Sequence, residues 1–206
     1  AVMTTRELAV LLKTYGIDFQ TLPEEAFDQP LGCYSGAGTI FGTAGGVMEA
    51  ALRTTHAHLT GETVDQAVVK TLYEGNGKKS MVATMGSCSL KVWTVAGLRQ
   101  AEELLQQVKN KTADFQFMEV MTCPQGCISG GGQPKLYLET EKKEAFRKRK
   151  QGLYEEDALQ TVHASHQNPA IEKIYKDFLG KPLGHKSHTL LHTKYGEHTK
   201  NKILEG

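Results

Sequence analysis

The chain has 206 residues, with 24 Lys and Arg against 23 Asp and Glu, a formal charge of +1, and 21 glycines. Such a length suits one domain, or a domain with an appendage, large enough to bury its own core. The near-even charge gives no electrostatic handle for nucleic acid or a membrane surface. No apolar run reaches the roughly 18 residues of a membrane span, and no charged-then-apolar leader opens the chain. It starts on Ala1 rather than Met, and so reads as processed or as a piece of something longer.

Taken in order, Ala1–Thr5 reads as the end of a strand, with Thr5 capping a helix over Arg6–Tyr15. An acidic, proline-bearing loop, IDFQTLPEEAFDQP, leads to GCYSGAGTIFGTAGG, which runs into a helix of Val47–Leu59. A second helix is predicted over Val64–Tyr73, ending at the Gly75–Gly77 turn. Ser80–Cys88 and Leu90–Val95 are β-rich and predict adjacent strands. Gly97 opens a helix, LRQAEELLQQVK, with Leu98, Ala101, Leu105 and Val108 on one side. Asp114–Met121 predicts a buried strand whose carboxyl end delivers Cys123. The alternation implies an α/β fold, a mixed or mostly parallel sheet flanked by helices. Residues 1–140 read as this domain and 141–206 as a charged helix with a largely irregular and helical tail.

Four cysteines are present, Cys33, Cys88, Cys123 and Cys127. Nothing marks the chain as secreted, so metal ligation or buried thiols suit them better than disulfides. Cys88 reads as a core thiol, and Cys33, in a loop, stays ambiguous. In MTCPQGCISGGGQP, Pro124 and Gly126 argue against a regular helix, and a tight turn would aim the sulfurs of Cys123 and Cys127 at one cavity. Paired thiolates suit zinc or an iron–sulfur cluster. Two ligands leave such a site incomplete; the rest must come from Cys33 and Cys88, from histidines, or from another polypeptide.

Gly130, Gly131 and Gly132 would let backbone approach a bulky group. The second glycine cluster, Gly42–Gly46, directly precedes a helix, whose N-terminus suits an anion. It is neither a Walker A loop nor a dinucleotide fingerprint, and its bland reading is a tight turn into a packed helix. The two glycine loops are expected to face the cysteine cavity together. His163 and His166, and His185, His188 and His192, have spacings that could hold zinc if helical. Hydrogen-bonding histidines in a packed tail are the favoured reading.

The segments TIFGTAGGVMEAALR and FMEVMTCPQGCISGGGQP resemble the iron-only (FeFe) hydrogenases. So do VMTTREL near the start and SHQNPAIEKIYKDFLGKPLGHKSHTLLHTKY near the end, so the likeness runs from Val2 to Tyr195. It covers the carboxyl-terminal half of the catalytic domain and the wrapping segment that follows. The resemblance implies a 4Fe-4S cluster joined to a two-iron subcluster with CO and cyanide ligands. On that pattern Cys123 and Cys127 would ligate the four-iron cluster, and Cys127 would also bridge to the two-iron unit. Met121 would pack on the diatomic ligands, while Phe41, Gly42 and Thr43 line the pocket with backbone N–H groups toward cyanide. Gly130 and Gly131 would give the cofactor room.

Two further cysteine motifs of the family, both upstream, are not in this sequence, and Gln125 stands where glycine is commoner. The resemblance therefore implies part of an enzyme of reversible proton reduction, incomplete without its upstream half. It also implies ferredoxin or another iron–sulfur carrier as electron partner, no nucleic acid or membrane, and a cytoplasmic or periplasmic setting. The alternatives are a non-catalytic hydrogenase-like iron–sulfur protein and a zinc-binding interaction module.

Overall fold

The computed structural model describes residues 2–192 except 27, 29–31, 65–68 and 76. Its centre is one mixed sheet. Strands β1 (Val69–Gly75), β2 (Lys78–Met85) and β3 (Cys88–Ala96) form an antiparallel meander. β4 (Phe117–Met121) then joins β3 in parallel, giving the order β1-β2-β3-β4. A short extended piece, β5 (Pro124–Cys127), follows. The helices are α1 (Thr5–Thr14), α2 (Gly36–Thr39), α3 (Gly46–Thr60), α4 (Leu98–Lys109), α5 (Glu139–Leu159), α6 (Pro169–Ile174) and α7 (His185–Leu191).

Strand alternation sorts the core into two layers. Met48 and Leu52 of α3 pack on Met81, Ala83, Met85 and Val92. On the opposite face, Ala101 and Leu104 of α4 pack on Val95, with Trp93, Phe115 and Met118 around them. Each fully buried Leu, Val or Met side chain contributes about 1.5–3 kcal/mol, so these two contacts hold α3 and α4 on the sheet. Among the described residues no helix is long and apolar enough to cross a membrane.

Several expectations need correction. Of the helix expected over residues 64–73, positions 65–68 lie outside the described residues and 69–73 belong to β1. The β-rich stretch finds a partner edge in β2, with Val69 opposite Ala83 and Gly75 opposite Lys78, and that pairing overrides helical propensity. Residues 2–4 form no strand, and the cap of α1 is Thr4 rather than Thr5. Its Oγ1 accepts the Glu7 N–H at 3.3 Å, and Glu7 Oε2 accepts the Thr4 N–H at 2.7 Å. The Thr-x-x-Glu signature of a capping box thus begins one residue earlier, and the Thr4 amide holds the Glu7 carboxyl below its ordinary pKa. No residue of α1 is buried. Thr4→Ala is therefore expected to cost about 1 kcal/mol locally. That cost should appear as lost amide-exchange protection in the first turn of α1, with the main unfolding transition unmoved.

On α4 the buried line is Ala101 and Leu104, while Leu98, Leu105 and Val108 are exposed. The sheet ends at β4, so it meets only part of the helical stripe. β4 itself is that terminal strand rather than a buried one: Glu119 is buried, but Phe117 and Val120 are each 40% exposed.

Candidate metal centre

β4 runs out at Met121, whose carbonyl accepts the Gly97 N–H at 2.7 Å. The chain then turns through Cys123, with the Gly126 N–H on the Cys123 carbonyl at 3.1 Å. This turn is stitched to the Gly42–Gly46 loop. Ala44 N–H donates to the Gln125 carbonyl, and Ile128 N–H to the Gly42 carbonyl, both at 3.1 Å. Gly126 sits at the crossing with φ +77°. A Cβ there would lie 2.7 Å from Ala44 N and Thr43 C, and 2.9 Å from Gly42 O. Only glycine lets the two backbones touch.

The structure so brings Phe41, Gly42 and Thr43 against the cysteine turn. Cys123 is half-buried and Cys127 exposed; Met121 is half-buried, Phe41 exposed and Thr43 buried. The Thr43 hydroxyl and amide both donate to the Ile40 carbonyl at 3.0 Å. Gln125 gives its N–H to Ser129 Oγ at 3.0 Å.

The glycines after the thiols, Gly130–Gly132, make other contacts. Gly130 N–H bonds back to the Cys127 carbonyl at 3.0 Å. Beyond it, Gly131 O and Gly132 O accept from the guanidinium and amide of Arg6, at 2.6 and 3.2 Å. Two cavities lie beside these loops, one at the helix end of the first loop and one at the glycines after the thiols. A cavity of about 400 Å³ meets Ala44, Gly45, Met48, Pro124, Gln125 and Tyr154. Another, of about 300 Å³, meets Gly130, Gly131, Lys142, Phe146 and Arg149. Neither cysteine is among the lining residues of either cavity.

Helix α3 does hold an anion at its N-terminus, and the chain supplies it. Glu119, 7% exposed, accepts the Gly45 N–H at Oε1 and the Met48 N–H at Oε2, each at 2.7 Å. Gly45, the N-cap, has no side chain with which to cap its own helix. The buried carboxylate takes that role, favoured by the positive end of the helix dipole. Sequence reasoning passed over Glu119. Its signal was a lone acid inside an apolar strand, together with a Gly-Gly helix start that has no capping side chain.

A second missed cluster lies under α3. Arg53 is fully buried. Its guanidinium donates to both carboxylate oxygens of Asp157 at 2.9 and 2.7 Å, to Glu49 at 2.8 Å and to the His163 carbonyl at 3.0 Å. Burial alone would lower its pKa, but the bonds from Asp157 and Glu49 together outweigh burial and raise it. Tyr154 donates to Glu49 at 2.7 Å, and burial first, then that bond, push its phenol above the ordinary value. The cluster ties α3 to α5. An Arg within the apolar helix VMEAALR was its trace in the sequence.

The other candidate ligands do not gather. Cys33 is exposed, and Cys88, half-buried at the start of β3, is not a core thiol. His163 faces Asp157 at 3.4 Å, His166 faces Thr54 at 3.2 Å, and His188 stacks on His192. No group of three or more His, Cys, Asp or Glu placed to hold a metal occurs among the described residues.

Two family models match this chain: the C-terminal domain of the iron-only hydrogenase large subunit over residues 1–131, and the iron hydrogenase small subunit over residues 143–198. Subunit HndD of the NADP-reducing hydrogenase of Solidesulfovibrio fructosivorans is 46% identical over 194 residues, covering 94% of this chain and 32% of its own length. Protein NAR1 of Arabidopsis thaliana is 29% identical over 199 residues, covering 95% of this chain and 42% of its own. A solved structure of a variant of the FeFe-hydrogenase HydA1 from Chlamydomonas reinhardtii has a TM-score of 0.69 at 36% identity. It covers 94% of this chain and 55% of that one. The chain thus spans about a third to two-fifths of the curated relatives and about half of the solved one.

Proposed function

Because the chain belongs to the iron-only hydrogenase large-subunit family, we propose that it is the carboxyl-terminal half of a unit that reversibly reduces protons to dihydrogen. The observation that carries this reading is the stitched crossing of the Phe41–Thr43 loop and the Cys123–Cys127 turn, too tight at Gly126 for any side chain. A backbone held so closely beside two thiols keeps them fixed against a bulky group.

The donor chemistry fits half of a four-thiolate cluster site. Cys123 and Cys127 would supply two ligands, with Cys127 shared by the two-iron subcluster. The remaining thiolates would come from the upstream half, in the same or a separate polypeptide. When bound, the iron centre would supply electrons and the metal at which hydrogen is made or split. The chain's own residues would wall it: Met121 and Phe41 would exclude water with apolar surface, and Gly42, Thr43, Gly130 and Gly131 would shape the backbone around it. Phe41 at 44%, and Phe117 and Val120 on the terminal strand β4 at 40% each, are exposed apolar side chains that the upstream half would cover. Ferredoxin or a similar iron–sulfur carrier would deliver electrons.

The test is reconstitution. The chain alone should retain little iron and evolve no hydrogen. With the upstream half supplied in trans and a matured two-iron unit, both should appear. Cys127→Ser should then remove hydrogen evolution and the infrared carbonyl and cyanide bands, while Cys33→Ser leaves them intact. Hydrogen evolution by the chain alone would overturn the reading. A second reading, a non-catalytic iron–sulfur protein, rests on the likeness to NAR1; it requires iron and sulfide in the reconstituted protein without carbonyl or cyanide bands.

A further inference from the structure

We propose that Glu119 is a positioning residue, a carboxylate latch that fixes the cysteine turn against the Phe41–Thr43 loop. The function of the latch rests on the reading above, but its existence rests on geometry alone.

A buried carboxylate is tolerated only where it is well hydrogen-bonded. Glu119 meets that condition with two charge-assisted bonds at 2.7 Å to the Gly45 and Met48 amides. Its place in the chain gives those bonds a longer reach. Glu119 lies two residues before Met121 and four before Cys123, so it is carried by the strand that delivers the thiols. Gly45 directly follows Ala44, whose amide bonds Gln125 within the cysteine turn. The backbone therefore closes a ring, from β4 through the turn, across to the glycine loop, into α3 and back to β4 through Glu119.

A ring tied at one point is a hinge. This one is tied at two, by Glu119 on Gly45 and Met48 and by the Gly126 crossing with its bonds at Ala44 and Ile128. Two ties fix the relative orientation of the glycine loop and the thiols, which neither tie could do alone. Glycine at both 45 and 46 gives α3 no capping side chain of its own, so Glu119 supplies the acceptor. Strand alternation also puts Glu119 and Met121 on the same face of β4, the face toward α3. Freeing the carboxylate would thus loosen the strand at Met121 as well.

A simple helix cap would also explain the two bonds, and the test separates the roles. Amide exchange is measured on the 206-residue chain for Glu119→Ala and for the isosteric, uncharged Glu119→Gln. Losing hydrogen bonds to a charged acceptor should speed exchange at Gly45 and Met48 by about 10- to 100-fold. A latch requires acceleration at Ala44 and Ile128 too, smaller for Gln than for Ala, with added formate partly restoring protection to Glu119→Ala. Acceleration confined to Gly45 and Met48 overturns the proposal. In the protein reconstituted with its upstream half, Glu119→Gln should shift the carbonyl and cyanide bands while iron content is kept; unshifted bands count against positioning. Should wild-type reconstitution yield no such bands, the hydrogenase reading fails, and the exchange at Ala44 and Ile128 still decides the latch.

Discussion

Gly126→Ala is expected to separate the cysteine turn from the glycine loop and to destabilise the protein by about 3 kcal/mol. Two costs combine. A non-glycine residue at φ +77° costs roughly 1–2 kcal/mol, and forcing a Cβ into packed backbone costs about 1–3 kcal/mol more. The atoms it would meet, Ala44 N, Thr43 C and Gly42 O, are backbone and cannot rotate aside as a side chain could. Gly61→Ala is the matched control. Its φ is +75° at the end of α3, and nothing lies within 4 Å of the position a Cβ would take, so only the conformational cost of roughly 1–2 kcal/mol applies. Urea denaturation should rank the two variants in that order, and amide exchange should rise at Ala44 and Ile128 for Gly126→Ala alone. Equal losses for the two would show that the crossing is not tight.

The Arg53–Asp157 pair should give the other large effect. Both side chains are buried, 0% and 3% exposed. Asp157→Ala would leave the guanidinium with Glu49 and one carbonyl, and removing one partner of a buried pair typically costs about 3–5 kcal/mol. Because Asp157 belongs to α5 and Arg53 to α3, the loss should free the charged helix from the sheet layer. Its exchange protection should fall further than that of β2 and β3. Replacing both, as Arg53→Met with Asp157→Leu, should recover most of the stability, since a buried ion pair often contributes little over apolar residues of similar size. A single substitution costing under about 1 kcal/mol would mean the pair behaves as a surface ion pair and does not hold α5.

Much of the fold was legible because it is local. α3, β2, β3 and α4 follow from apolar periodicity and glycine punctuation, and each lies within a few residues of where the sequence puts it. The turn at the thiols was legible for a related reason: Pro124 and Gly126 bar a regular helix there whatever surrounds them, and the Gly126 N–H closes on the Cys123 carbonyl. Residues 69–73 were not legible, since their helical and extended forms differ little until β2 offers an edge to pair with.

The tertiary structure alone decided which groups meet. Glu119 reaches Gly45 across 74 residues, Arg53 reaches Asp157 across 104, and the glycines after the thiols lean on Arg6, 125 residues away. Nothing in the spacing of these residues announces a partner. A side chain's identity states what it can bind, so the sequence by itself determined that α3 begins without a cap, that a carboxylate lies inside a strand and that an arginine lies inside an apolar helix. Which donor satisfies which acceptor depends on the order of strands and on the faces to which helices pack, because burial makes every polar group find a partner among those the topology brings near.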